Sequence, residues 1–288
     1  MTSEPTKRRN VDHTPCEVRW CSTKSGMPSI SPQPVALVTG ASRGIGRAIA
    51  QQLAARGCRI AAHFNADEKA AEATLASLTG EKHARFAADL SSPDQVRRLW
   101  EEVSAVFGRI DILINNAGIF SEHAPLTTSY SGWQQDWQRT LGTNLFGPAN
   151  LCHLAANAMA RIQGSIEPGF GRGRIVNISS RGAFRGEPTA PAYGASKAGL
   201  NALSQSLAKA LAPNAVYVFC LAPGWVETDM ARDYLVGPKG AEIRADHPLG
   251  RVTQTDEVAR TAVFCALDAP AAMTGAIIDV NGASYLRT

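Results

Sequence analysis

A chain of 288 residues, 44% of them hydrophobic, is long enough for one large α/β domain or two small ones and can bury a full core. Its formal net charge of +4 comes without a long basic run or an aromatic–basic stripe, which argues against nucleic acid as a partner. No apolar run reaches the roughly 18 residues of a membrane span, and no apolar N-terminal block precedes a small-residue cleavage site.

The six cysteines, Cys16, Cys21, Cys58, Cys152, Cys220 and Cys265, are scattered. Four stand in apolar surroundings and read as buried small hydrophobes; Cys16 and Cys21 lack a second pair at zinc spacing. A reducing, cytoplasmic setting without a metal site is expected.

Residues 1–34 are rich in Ser, Thr, Pro and Arg and carry no helical or strand period, so a disordered extension is expected ahead of a single domain over 35–288. Glu4, Asp12 and Glu17 argue against a transit peptide. Met27 offers a translation start close to the domain; a regulatory arm is the other reading.

From Val35 onward the pattern alternates. Residues 35–39 are a short apolar run and a buried strand. Residues 45–56 have helical spacing and end at Gly57. Further strands are expected at 59–64, 84–88, 110–114, 174–178, 216–221 and 276–280, seven in all. Helices are expected at 66–78, from Ser92 to 107, over the long stretch 131–161, and from Tyr193 and Thr255. Ser92-Pro93 with Gln95 reads as an N-cap, an N1 proline and a capping-box glutamine. Trp133 and Trp137 share a helical face and read as packing, in the core or against another subunit. This alternation predicts an α/β fold, a doubly wound parallel sheet of about seven strands with helices on both faces. Ligands in such sheets bind beyond the carboxyl ends of the strands, and each candidate motif follows a strand.

Thr39-Gly40-Ala41-Ser42-Arg43-Gly44-Ile45-Gly46 joins the first strand to the first helix. Its glycines permit a tight turn and let backbone amides approach a pyrophosphate at a helix N-terminus, although the spacing differs from Gly-x-Gly-x2-Gly. A nicotinamide dinucleotide without a 2′-phosphate commonly meets a carboxylate at the end of the second strand. Here His63-Phe64-Asn65 stands there, and no acid occurs until Asp67. Arg43 can pair with a 2′-phosphate, so NADP(H) is expected over NAD; the alternative is a solvated Arg43 with Asp67 in the acidic role. Asp89-Leu90 is either an adenine contact or a turn before Ser92. Asn115-Asn116-Ala117-Gly118 supplies small residues and amides beside a cofactor, or is a plain turn. Tyr193 and Lys197, four residues apart, share a helical face. An ammonium near a phenol favours the phenolate, which makes the pair a proton donor to a forming alkoxide; the alternative is a solvated lysine beside a core ring.

The glycine turn 39–46, Asn115-Asn116-Ala117-Gly118, Ser180, Tyr193-x3-Lys197 and Pro223-Gly224, in this order, resemble the short-chain dehydrogenase/reductase family over essentially all of 35–288. Residues 223–230 and the ending 278–282 are most similar to 3-oxoacyl-(acyl-carrier-protein) reductases. The resemblance implies a Rossmann-type domain, a homotetramer packed through helices around 133–161 and 193–211, and a small or acyl-carrier-bound ketone substrate. An alcohol or sugar dehydrogenase of the same mechanism and a cofactor-binding protein without turnover are the alternatives. Tyr193 would be the general acid, Lys197 would lower its pKa and bind the nicotinamide ribose, Ser180 would hold the substrate carbonyl, and Asn144 would anchor a proton-relay water. Pro223, Gly224, Val226 and Thr228 would close over the cofactor. Each has a plainer reading: Ser179 or Ser180 as a turn cap, and Asn144 as a misfit in a helix, where Asn competes for backbone bonds. Two segments depart from the resemblance: the extension before Val35 and a Gly-rich stretch, 164–173, expected as a surface loop. Residues 229–251, rich in Gly and Pro, are expected to form a mobile lid over the substrate.

Overall fold

The computed structural model describes residues 33–162 and 169–287. The expected extension lies outside the described residues up to residue 32, as do Cys16, Cys21, Met27 and residues 163–168 of the Gly-rich stretch. In chain order the elements are β1 (Val35–Val38), α1 (Gly44–Ala55), β2 (Arg59–Phe64), α2 (Glu68–Ala76), β3 (Ala84–Ala87), α3 (Pro93–Phe107), β4 (Ile112–Asn115), α4 (Tyr130–Leu141), α5 (Gly147–Ala160), β5 (Gly173–Ile178), α6 (Gly182–Arg185), α7 (Pro191–Leu211), β6 (Val216–Pro223), α8 (Asp229–Val236), α9 (Gly240–Ala245), α10 (Thr255–Val263) and β7 (Ile277–Val280).

The strands form one sheet in the order β3-β2-β1-β4-β5-β6-β7, with every pairing parallel. Strand residues alternate between two apolar layers, as a two-residue period requires. Ala36, Val38, Ile112, Ile114, Val176 and Phe219 pack with Ile49, Leu53, Val258 and Ala262 of α1 and α10. Val35, Leu37, Leu113, Ile175 and Val218 pack on the opposite face with Leu99, Val103, Leu151, Met159 and Ala208 of α3, α5 and α7. Both faces are covered, which is why the strands read as continuous apolar runs. Each fully buried Leu, Ile or Val contributes roughly 1.5–3 kcal/mol, so a few such residues per helix fix its place against the sheet.

Several local expectations change. Ser92 Oγ accepts from Gln95 N, but the Gln95 side chain accepts from Asp89 N at 3.0 Å instead of returning to Ser92. The long stretch 131–161 is two helices joined by a π-helical turn, Gly142–Phe146. The described part of the Gly-rich stretch is not simply surface loop. Phe170 is buried, and Gly173 begins β5, where a Cβ would stand 2.4 Å from Met159 Sδ. Pro34 is already tied to the sheet, its carbonyl accepting from Arg59 N at 2.8 Å. Segment 229–251 forms two helices with an apolar cluster of Ala231, Leu235, Ile243 and Val252. Cys58, Cys152, Cys220 and Cys265 are all buried and free, as their surroundings predict. Among the described residues no helix is long and apolar enough to cross a membrane.

Candidate active site

The carboxyl ends of β1 to β6 open into one cavity of about 400 Å³. It brings together nearly all the residues singled out by motif. Gly40, Ser42, Arg43, Gly44, Ile45, Asp89, Leu90, Asn116, Ala117, Gly118, Ser180, Tyr193, Lys197, Pro223, Gly224, Val226 and Thr228 line it. Gly46 and Asn144 stand behind the wall.

At one end lies the glycine turn. Gly40 (φ 64°) and Gly44 (φ 55°) occupy the left-handed region, which side chains rarely tolerate. A Cβ on Gly46 would stand 2.2 Å from Gly40 O; Gly46 therefore lets α1 approach the turn and does not itself reach the cavity. Arg43, the N-cap of α1, supplies no side-chain cap, so the first N–H groups of the helix keep their capacity for an anion. The turn is held from behind. Thr39 Oγ1 accepts from Asn116 N and Ala117 N at 2.9 and 3.0 Å. Asn116 Nδ2 donates to Thr39 O and Gly40 O, and Asn115 Nδ2 donates to Asn177 Oδ1 at 2.8 Å. Asn115 is buried behind the cavity, whereas Asn116, bonded to the turn in this way, also lines it. Asp89 serves as the turn residue, its Oδ1 accepting from Ser91 N and Oγ, and lines the cavity as well.

His63 is a member of this end that sequence reasoning treated only as a missing acid. Its Nδ1 accepts from Gly40 N at 3.1 Å and its Nε2 bonds Ala88 O at 2.9 Å. Burial lowers its pKa to about 4, so the imidazole is neutral and latches the ends of β2 and β3 to the glycine turn. Asp67 caps α2 by accepting from Ala70 N at 3.0 Å and takes no part in the cavity wall. Arg43 is exposed and lines it.

At the other end α7 carries Tyr193 and Lys197. Lys197 Nζ donates to Ile178 O at 2.9 Å and lies 5.8 Å from the Tyr193 ring centroid. Burial lowers the lysine to about 8. Burial also raises the Tyr193 phenol to about 12, against a hydrogen bond with Ser180 that lowers it. The acidification expected from Lys197 is not what governs this phenol: burial dominates, and the effect that opposes it comes from Ser180. The four-residue spacing gives a shared face, and the phenol keeps its proton at neutral pH. Ser180 Oγ also accepts from Gly182 N at 3.0 Å, while Ser179 Oγ donates to Lys197 O; Ser179 is the structural one of the pair. Asn144 sits in the π-helical turn. Its Oδ1 accepts from Ile119 N, and its Nδ2 donates to Ile119 O and Ser196 Oγ. A break in the helix at this position accommodates the asparagine, as π-turns at functional sites do.

Two further features had no motif. Ala190, the N-cap of α7, provides no side-chain bond. The missing acceptor comes from His123, 69 positions away: its Nε2 accepts from Ala192 N at 3.1 Å, while Nδ1 bonds Ser121 O at 2.9 Å. Over the cavity, Phe120 lies edge-on to Tyr193 (5.0 Å) and to Tyr234 (5.9 Å), and Tyr234 packs on Trp225 (5.4 Å). These aromatic residues join the 119–123 loop to α8.

Comparison with known proteins agrees with this architecture. Residues 40–283 match the family model described as Enoyl-(Acyl carrier protein) reductase. This chain belongs to the short-chain dehydrogenase/reductase family. It is 35% identical to the 3-oxoacyl-(acyl-carrier-protein) reductases FabG of Staphylococcus aureus strain Mu50, over 87% of this chain and 98% of the relative. The identity to that of Escherichia coli K12 is also 35%, over 88% and 97%. It is 38% identical to D-threitol dehydrogenase of Mycolicibacterium smegmatis, over 88% and 93%. The crystal structure of a gluconate dehydrogenase candidate from Agrobacterium tumefaciens superposes with a TM-score of 0.79 and 30% identity, covering 87% of this chain and 95% of that one. As a member of the family the protein is an oxidoreductase acting on CH–OH groups, and its relatives use a nicotinamide cofactor.

Proposed function

We propose that this protein reduces a ketone to a secondary alcohol with NADPH, the first substrate class to test being 3-oxoacyl thioesters. The observation that carries the reading is the convergence of Ser180, Tyr193 and Lys197 on a cavity whose other end is an uncapped helix N-terminus behind a glycine turn. The dinucleotide fits that end. The left-handed glycines bare the backbone, and Arg43 is exposed and lines the cavity while Asp67 does not. Gly40, Ser42, Gly44 and Ile45 would hold the pyrophosphate, and Arg43 the 2′-phosphate. Asp89, Leu90, Asn116, Ala117 and Gly118 would flank the adenosine and ribose, and Pro223, Gly224, Val226 and Thr228 the nicotinamide end. When bound, the cofactor supplies the hydride and a change of charge on its ring. Net, ketone, NADPH and one proton give the secondary alcohol and NADP+.

The chain's own groups do the rest. Ser180 Oγ, fixed by Gly182 N, donates to the substrate oxygen. Tyr193, protonated at rest, gives its proton to that oxygen as charge develops. Lys197 would place a cation beside the phenol as it gives up its proton, and Asn144, which holds the backbone of Ile119, would anchor the water of a proton path behind it. Support for the thioester reading is the 35% identity to FabG reductases; the 38% identity to a threitol dehydrogenase supports a polyol or sugar substrate as the second reading. The exposed alanines of α7, Ala195, Ala198 and Ala202, together with Phe146, suit the contacts of a homotetramer, which sedimentation equilibrium tests.

Ketone-dependent oxidation of NADPH and NADH, followed across 3-oxoacyl thioesters, sugars, polyols and simple ketones, tests the proposal. Turnover of at least one ketone with NADPH preferred is expected. Turnover with NADH alone removes the cofactor assignment, and no turnover with any carbonyl removes the reaction.

A further inference from the structure

Among the charged groups of the cavity that this chemistry leaves unused is the guanidinium of Arg181. It is 4% exposed, yet it lines the cavity. Its backbone N–H donates to Pro223 O at 2.8 Å, which fixes the residue directly after Ser180. Nη1 donates to Ser284 Oγ at 2.6 Å and to Ser284 O at 3.4 Å. Among the described residues, Nε and Nη2 have no hydrogen-bond partner, and no carboxylate forms an ion pair with the group. Neither nitrogen is among the sealed, unpartnered atoms, so both keep some access, and the residue they belong to lines the cavity.

The neighbouring charges do not satisfy it. Glu187 is engaged at 3.7 Å by Arg185, and Glu187 and Asp246 act on Arg181 only through space. A cation held in a poorly hydrated wall with unspent donors is costly unless an anion completes it. Guanidinium is also the side chain best shaped to take a carboxylate by two parallel N–H bonds. The same cavity is lined by Phe120, Tyr234 and Trp225, an apolar surface for a carbon skeleton.

We propose that Arg181 is an anion subsite of the substrate pocket and that the substrate is a short oxo acid, its carboxylate on Arg181, its ketone on Ser180 and Tyr193, and its carbon chain against Phe120 and Tyr234. Arg181 follows Ser180 directly in the chain and lines the same cavity, so the proposal places the carboxylate close to the ketone on the substrate. On this proposal the anion is part of the reacting molecule and not the far end of a carrier arm. The proposal rests on the ketone-reduction reading and narrows its substrate.

The test compares NADPH-dependent reduction of 2-, 3- and 4-oxo acids of four to six carbons with their methyl esters and, for the 3-oxo acids, their N-acetylcysteamine thioesters. At least one acid is expected to have a kcat/KM tenfold or more above its ester and thioester. Arg181→Met should lower that value about 30-fold, chiefly through KM, and change the ester less than threefold; Arg181→Lys should fall between. Wild-type protein gives an arm independent of how the variants fold: saturated carboxylates of matching length should inhibit competitively against the oxo acid, and their amides should not. Equal use of acid and ester, preference for the ester or thioester, or equal losses for both in Arg181→Met would remove the subsite while leaving ketone reduction standing. Failure to reduce any ketone would remove both.

Discussion

The two ends of the cavity are built from different materials. At the glycine-turn end the wall is backbone and small side chains, and its polar groups are bonded to one another: Thr39 to Asn116 and Ala117, His63 to Gly40 and Ala88. At the other end the wall is large side chains from distant segments, among them Phe120, Trp225 and Tyr234 together with Arg181, Arg185 and Glu187. On the function proposed above, the first end would present a backbone shape to the dinucleotide, and the second would present side-chain chemistry that selects the ketone. Rigidity by mutual hydrogen bonding at one end and selectivity by unspent groups at the other predict different responses to substitution.

The largest expected effect is at the backbone end. Gly46→Ala would put a Cβ 2.2 Å from Gly40 O, a backbone atom that cannot swing aside. NADPH affinity, read by nicotinamide fluorescence, should drop by about 100-fold or more; unchanged affinity would show that the turn is more pliant than its contacts imply. Next is His63. Its folded pKa of about 4 lies below the ordinary 6.5, so the neutral ring's contribution is fully present above pH 6.5. It is lost as pH falls toward 4, where the unfolded chain takes the proton first. The loss is on the order of 3 kcal/mol. Urea unfolding between pH 8 and pH 4.5 should show it, and His63→Gln should flatten the curve in that window. Arg43→Ala should raise the KM for NADPH about tenfold, one charge-assisted phosphate contact, with NADH within twofold; equal losses for both would place Arg43 outside the cofactor-discriminating contacts.

The smallest effect lies behind the α7 end. His123→Leu removes the acceptor for Ala192 N, a cap worth about 1 kcal/mol, and should lower kcat about fivefold through misplacement of Tyr193, with KM for NADPH unchanged. His123→Gln, which restores an acceptor at a similar reach, should recover most of it. Equal loss in the glutamine variant would show that packing on Trp133, and not the cap, is what matters.

The same division decides what could be read in the sequence. The sheet was legible because strands buried on both faces leave uninterrupted apolar runs, and the glycine turn because only glycine tolerates its φ values. Tyr193 and Lys197 were legible as a pair, since helical spacing is local. The sign of the phenol's shift was not, because desolvation depends on packing that no spacing encodes. His123 left no signal: an acceptor lent to a helix N-terminus from 69 positions away is a product of the fold. Arg181 and Phe120 were hidden for the same reason, their roles being set by Ser284 and Tyr234 from other parts of the chain. Gly46 and Asn144 were legible as functional positions but stand one layer behind the wall.

The central claim is that the protonated phenol of Tyr193 delivers the proton during ketone reduction. Single-turnover reduction by the Tyr193→Phe variant, with NADPH affinity measured on the same sample, tests it most directly. Hydride transfer slower by about a thousandfold or more with NADPH affinity within twofold of wild type is the predicted result. Transfer at an undiminished rate in the phenylalanine variant would contradict it.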